Sequence, residues 1–495
     1  MSDFLPYIYY SLPWLFVIGL SIAAVVGIGV GIVWPRFLVY PYLLVFFWVN
    51  STSYGSLAVF ASRSIYSRGS GMLFFGVLLW YILGAWLCAR VAAGFAAGFS
   101  SDHGRQPAPA CNLRPWFLAW AVLLAGHVGA GLVASVPVAE SLAPSGFSNI
   151  VWMAPLISLM LLSFRTREHL IELTHFIMIV GLCRSLFGLV RWAAFGGDPN
   201  NVYANLNAIK IRLTFFDIND SLVCTIAFAI AAVHLFQTVK TDRPKFWRSI
   251  EWMTLISTAL CILLSYRRSA WIGFMLAFLV IMMRFPLKRR MQLMTAGLPV
   301  VGAALTYVAV QRLSQTKGAG TGLSSLVYDM QSKRFGPESE RVLELKFALG
   351  DFLANPITGI GTWGRYTGYQ YISWQQNPDG GLFLHSGVLH IALKSGLIGT
   401  VLLFGTLITF VLFARRALKQ LPPELLGLAT AGVAGLAFMI PDFLIGTPFP
   451  QVRTSQMLAV CIALPYLAMA VAKAAPVTRP AMKPFTPPRP HLVPA

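Results

Sequence analysis

Apolar positions in this chain fall in long runs, not in the alternation of a half-buried strand. Runs near residues 14–33, 37–49, 71–98, 116–138, 146–163, 170–194, 221–237, 252–265, 270–284, 292–311, 388–413, 424–445 and 457–473 are dominated by Leu, Ile, Val, Phe and Ala. A helix crossing hydrocarbon needs about 20 such residues, since its backbone N–H and C=O groups must bond within the segment. The pattern predicts an all-α polytopic membrane protein of about 12–13 transmembrane helices, the runs at 37–49 and 252–265 being short. The first run lacks a basic n-region and a small-residue cleavage site, so the chain is read as inserting through its own first helix.

The long polar interruption at 312–387, about 70 residues, exceeds a connector. It opens on a Gly-rich stretch, Lys317 to Gly322. Val342, Leu345, Leu349 and Phe352 then recur at helical spacing and predict an amphipathic helix from about Ser339 to Leu353. Asn355 and Pro356 end it, and the turn-forming Gly359, Ile360, Gly361, Thr362, Trp363 and Gly364 follow. Residues 1–475 read as a single transmembrane domain, and Pro-rich 476–495 as a disordered cytoplasmic tail. No internal repeat is evident.

Composition agrees with a bilayer as solvent. The chain is 57% hydrophobic and 11% charged, with a mean hydropathy of +0.68, against roughly 25% charged in soluble domains. Its net charge of +20, from 38 Lys and Arg against 18 Asp and Glu, is carried mostly by short loops. That placement points to orientation and anionic headgroups, not to nucleic acid. The six cysteines, mostly within apolar runs and without a CxxC pair, read as buried apolar residues.

Arg165 and Arg167, then Lys240, Arg243, Lys245 and Arg248, then Arg284, Lys288, Arg289 and Arg290, then Arg415, Arg416 and Lys419 occupy loops separated by two spans. The positive-inside tendency assigns them to the cytoplasm. The loops at 195–220, 265–269, 312–387 and 446–456 then face outward.

Four outward groupings carry candidate chemistry. Arg267 and Arg268 sit in Ser265-Tyr266-Arg267-Arg268-Ser269-Ala270-Trp271, a connection too short to be a solvated domain, and suit an anion better than interfacial snorkelling. Arg341 opens the loop helix, where pairing with Glu338 or Glu344 is the plainer reading. His385 and Ser386 stand at the start of a span; His390, five residues on, does not share a face with His385 as a zinc helix requires, so no metal site is expected. Lys210, Arg212, Asp217, Asn219 and Asp220 form a polar cluster before another span. Guanidinium groups bind phosphate bidentately and an imidazole accepts a hydroxyl proton, so together they suggest a lipid-linked pyrophosphate substrate.

These residues resemble the O-antigen ligase and O-antigen polymerase superfamily of bacterial envelope glycosyltransferases over about residues 205–415. Ser265 to Trp271 resembles its Ser-Arg-Gly/Ala/Ser-Ala-Trp element with Arg268 in the arginine position; Arg341, Leu345, Ala348 and Asn355 to Gly361 resemble its loop helix and Pro-x-x-Gly-x-Gly turn; His385, Leu389, Gly396 and Gly399 resemble its His-Asn-x-x-Leu … Gly-x-x-Gly signature. Ser386 stands where the family often has Asn, and Arg267 is an additional arginine.

The resemblance implies a C-type glycosyltransferase-like membrane enzyme of surface polysaccharide (O-antigen or exopolysaccharide) biosynthesis. It would act in the bacterial inner membrane with its site facing the periplasm, needing neither cofactor nor metal. Its donor would be an undecaprenyl-pyrophosphate-linked glycan, and its acceptor another glycan or a lipid A core sugar. Arg268 and Arg341 would hold the pyrophosphate, and His385 would position or deprotonate the acceptor hydroxyl for inverting attack. Charge placement, apart from the resemblance, adds Arg212 as a secondary phosphate or sugar contact, and Arg267 and Arg365 are assigned as further pyrophosphate or glycan contacts. The rival class is a secondary transporter, for which the intramembrane Arg184 and Arg191 are the features to follow.

Overall fold

The computed structural model describes residues 25–49, 69–99, 111–199, 212–237, 244–315, 337–376 and 380–474. Lys210, the Gly-rich stretch at 317–322 and the tail at 476–495 lie outside them. The described residues are helical throughout, without a strand.

In chain order the helices are α1 (Val25–Val33), α2 (Arg36–Trp48), α3 (Gly69–Phe99), α4 (Arg114–Val133), α5 (Val138–Ser141), α6 (Ser148–Ser163), α7 (Arg167–Ala194), α8 (Ile218–Phe236), α9 (Lys245–Leu263), α10 (Arg268–Met282), α11 (Leu287–Gln315), α12 (Pro337–Ala354), α13 (Gly387–Gln420), α14 (Pro423–Phe438), α15 (Ile440–Ile445) and α16 (Val452–Ala474). A helix lies on each apolar run, the first being described only from Val25. Six helices among the described residues are individually long and apolar enough to cross a bilayer, or seven if α1 and α2, bent by 110°, form one span. The pattern-based figure of about 12–13 also counts shorter pieces such as α6 and α10.

Hydrophobicity on all sides marks a buried helix. In α8 every residue from Ile218 to Val233 is buried, and it packs against α7, α9, α10 and α14. Helix α16 is similarly enclosed, between α14 and α6. By contrast α4 and α13 turn much of their apolar surface outward, with Leu118, Val122, Val401, Ile408 and Val411 all exposed. Such a belt suits hydrocarbon, which replaces a protein partner at no cost to an aliphatic side chain.

The loop helix α12 occupies the predicted stretch but is rotated off its apolar stripe, with Leu345 packed inward on the loop core. Val342, Leu349 and Leu353 are exposed, whereas Glu344 and Ala348 are fully buried. The reason is local: the loop after α12 needs acceptors for its donors, and the acidic stripe of α12 supplies them. Glu340 Oε2 accepts from Ser373 N and Oγ (2.7 and 2.6 Å), and Asp351 accepts from Thr367 N and Oγ1 (2.5 and 2.7 Å). Beneath the loop, Ala348, Tyr366, Leu384 and Leu393 form a small core of their own.

Candidate functional site

The connection between α9 and α10 is a tight corner with Tyr266 at φ 52°. Ser265 Oγ donates to the Ile262 carbonyl (2.7 Å) and Trp271 Nε1 to the Leu263 carbonyl (3.1 Å), so both satisfy the open C-terminal end of α9. That corner sets Arg267 just before α10 and Arg268 at its first position, both half-buried. The Arg267 guanidinium donates to the Phe216 carbonyl and lies 5.3 Å from the Phe216 ring centroid. Arg267 therefore joins α10 to the residues that lead into α8.

The turn at 355–361 has a definite packing role. Helix α13 breaks at Gly396 (φ 62°, ψ −157°), a conformation that essentially only glycine adopts. Residues of the turn take up the freed backbone groups: Leu397 N donates to the Pro356 carbonyl (2.7 Å) and Ile360 N to the Leu393 carbonyl (2.8 Å). At Gly359 (φ 69°) a Cβ would lie 2.4 Å from the Leu393 carbonyl oxygen. The fully buried Lys394 completes the joint by donating to the carbonyls of Thr362 (3.3 Å) and Gly364 (2.5 Å). Glycines in this stretch thus let backbone meet backbone and lock α12 and its loop to α13.

At the N-terminal end of α13 stands His385. Its Nδ1 lies 3.0 Å from Glu344 Oε2, and its backbone N–H donates to the same oxygen at 3.2 Å. Glu344 Oε1 accepts from the Tyr366 hydroxyl (3.3 Å) and from Gln375 Nε2 (3.1 Å). An ionised carboxylate only accepts, so Nδ1 carries the proton and Nε2 is left as the basic nitrogen. Burial, then the adjacent Glu344 charge and its hydrogen bond, hold the Tyr366 phenol well above its ordinary pKa, so it remains a donor. His390 is drawn away from this group: it is fully buried, with Nε2 3.1 Å from the Gly146 carbonyl.

Of the polar cluster before α8, Asp217 and Asp220 belong to an internal ion network, and Arg212 lies exposed outside it. Asp217 caps α8, and Asp220 is fully buried. Arg453, also fully buried, reaches Asp217 Oδ2 (2.7 Å), Asp220 Oδ1 (2.6 Å) and the carbonyls of Phe46 (2.8 Å) and Phe47 (3.2 Å). Arg184 meets the same Asp220 oxygen at 2.9 Å, and Arg191 pairs with Asp198 at 2.9 Å. Arg184 and Arg191 are thus engaged in internal ion pairs.

The other arginines differ in setting. Arg341 is half-buried and lies three residues before Glu344, hence on the same side of α12. Arg365 is exposed and donates to the Gly380 carbonyl (3.1 Å), bracing the loop where Tyr366 N meets the Gly381 carbonyl. Arg212 is exposed, and its carbonyl accepts from Trp192 Nε1 (3.1 Å).

Helices α8, α10, α13 and α16 all begin at this end of the bundle, because Arg453 joins α16 to α8, Arg267 joins α10 to α8, and Asp442 of α15 lies within electrostatic reach of Arg267, Asp217 and His385. Helix N-termini carry partial positive charge, so their convergence favours an anion. Among the described residues no three His, Cys, Asp or Glu side chains group as metal ligands. Reasoning from the sequence missed Glu344 as a partner of His385, as well as Arg453 and Asp442; the one available signal was Glu344 at a position with apolar residues on either side.

Residues 253–404 match the family model described as O-antigen ligase. The match takes in the Arg267–Arg268 corner, Glu344 with Arg341, the 355–361 turn and His385. No curated protein matches the chain.

Proposed function

We infer that this chain is a glycan-transferring membrane enzyme of the O-antigen ligase or polymerase type, a reading supported by the family-model match over residues 253–404. On this reading the protein transfers glycan in a membrane, as ligase or polymerase. The finer reading is an inverting transfer from undecaprenyl pyrophosphate to a sugar hydroxyl, at the periplasmic face of the bacterial inner membrane, with arginines in place of a metal.

The observation that carries this reading is the contact of His385 with the buried Glu344. The acceptor hydroxyl gives its proton to His385 Nε2 while its oxygen attacks the anomeric carbon of the donor. The bond from that carbon to the pyrophosphate oxygen breaks with its electron pair, and configuration inverts. Glu344 fixes the imidazole and stabilises the imidazolium that forms. Arg268 and Arg341 take the charge building on the leaving pyrophosphate, where fixed cations in a low-dielectric site are most effective. Arg267, Arg212 and Arg365 support the substrate from the periphery of the site.

Membranes from cells carrying His385→Ala test this directly. Glycan transfer is expected to cease while the chain still inserts; normal transfer by the variant would end the reading. The lipid-linked material that accumulates then separates the two activities, single repeats indicating a polymerase and long chains a ligase.

A further inference from the structure

Asp442 is a charged residue that the scheme above does not use. It sits in α15, the short helix joining α14 to the segment before α16, beyond the family-matched region. Only 8% of the residue is exposed, and among the described residues no donor hydrogen-bonds its carboxylate. The carboxylate oxygens are not among the sealed-off polar atoms, so they keep an accessible side through which a ligand can supply hydrogen-bond donors that the protein does not.

Its surroundings say which ligand. Asp442 lies within electrostatic reach of His385, Arg267 and Asp217. Helix α15 packs against α10 and α13, so it stands between the two N-termini that carry Arg268 and His385. At Gly387, the first residue of α13, a Cβ would lie 3.2 Å from the Phe443 carbonyl. A Cβ on Gly446 would lie 2.0 Å from Asp442 Oδ1, so glycine keeps room beside the carboxylate. Arg267 is turned to the Phe216 carbonyl and forms no salt bridge with Asp442. A carboxylate repels pyrophosphate, which leaves sugar hydroxyls as the donors it can bind.

We propose that Asp442 is a positioning residue for the acceptor sugar, its carboxylate accepting hydrogen bonds from hydroxyls next to the one that His385 deprotonates. The inference rests on the glycosyl-transfer reading of the site. It assigns acceptor recognition to α15 and pyrophosphate recognition to the arginines.

The test uses the purified full chain in phospholipid vesicles. The glycolipid fraction extracted from cells lacking the chain is supplied at graded surface density, and glycan-free undecaprenyl pyrophosphate serves as a separate binding probe. For Asp442→Asn the density giving half-maximal transfer is expected to rise at least tenfold, with the maximal rate within threefold of the unaltered chain. Undecaprenyl pyrophosphate should shift the thermal unfolding of both proteins alike. An unchanged half-saturating density, an equal loss at every density, or a lost shift with the probe would each overturn the proposal. If Asp442→Asn does not fold, Asp442→Ser takes its place; failure of both to fold would make the carboxylate structural and overturn it as well. Transfer surviving in His385→Ala would instead remove the underlying reading, so the two failures are distinguishable.

Discussion

His385 Nδ1 lies 3.0 Å from the Oε2 atom of Glu344, a carboxylate that also receives Tyr366, Gln375 and the His385 backbone N–H. Glutamine at 344 would keep an acceptor oxygen but lose the charge and present an amide to one of those donors. General-base catalysis contributes about 10²–10⁴-fold. Glu344→Gln is therefore expected to slow transfer by about 10²-fold in membranes with unchanged protein levels. An undiminished rate would show that His385 needs no carboxylate.

Arg341 shares its side of α12 with Glu344. A lysine keeps the charge and loses the planar fork that pairs with phosphate oxygens. Arg341→Lys should be nearly as impaired as Arg341→Ala when transfer is measured at equal expression. Full activity of the lysine variant would reduce Arg341 to a surface ion pair.

Arg453 joins two aspartates to two backbone carbonyls in the interior. Removing it strands the Asp217 and Asp220 charges, and loss of one partner of a buried pair costs about 3–5 kcal/mol. Arg453→Met should markedly lower the thermal unfolding temperature of the detergent-solubilised chain. A variant as stable as the parent would mean that the network is neutralised or hydrated by other means.

Gly396 holds the break in α13 at φ 62°, ψ −157°, and a Cβ there would meet the Ile357 carbonyl oxygen at 2.2 Å. Alanine would face strain of about 1–3 kcal/mol and push the 355–361 turn off the helix. Gly396→Ala should retain insertion but lose most transfer, and protease sensitivity should rise around α12. Parental activity would show that the joint does not position His385 and Glu344.

Lys346 is exposed on α12. With the six native cysteines replaced, Lys346→Cys should react with a membrane-impermeant maleimide added to intact spheroplasts. Protection from outside combined with labelling from the cytoplasmic side would reverse the orientation derived from the basic loops.

The apolar runs by themselves determined that this chain is helical, where its helices lie and which segment forms the loop helix, because a backbone in hydrocarbon has to close its hydrogen bonds locally. Sequence also singled out Arg267, Arg268, Arg341 and His385, since charge beside an apolar run stands out. It did not show how far α12 is turned about its axis: of the apolar stripe Leu345 packs inward while Val342 and Leu349 are exposed, and Glu344 is buried beside Ala348.

Tertiary structure alone decided the partners. Glu344 and His385 are 41 residues apart, and Arg453 and Asp217 are 236 apart, separations at which no local periodicity carries information. Folding also gave the arginines different roles, in that Arg184, Arg191 and Arg453 hold the bundle together while Arg267 anchors the entrance to α8. The same guanidinium chemistry binds a carboxylate, a carbonyl or a pyrophosphate, and only the groups that folding brings within reach decide which one it meets.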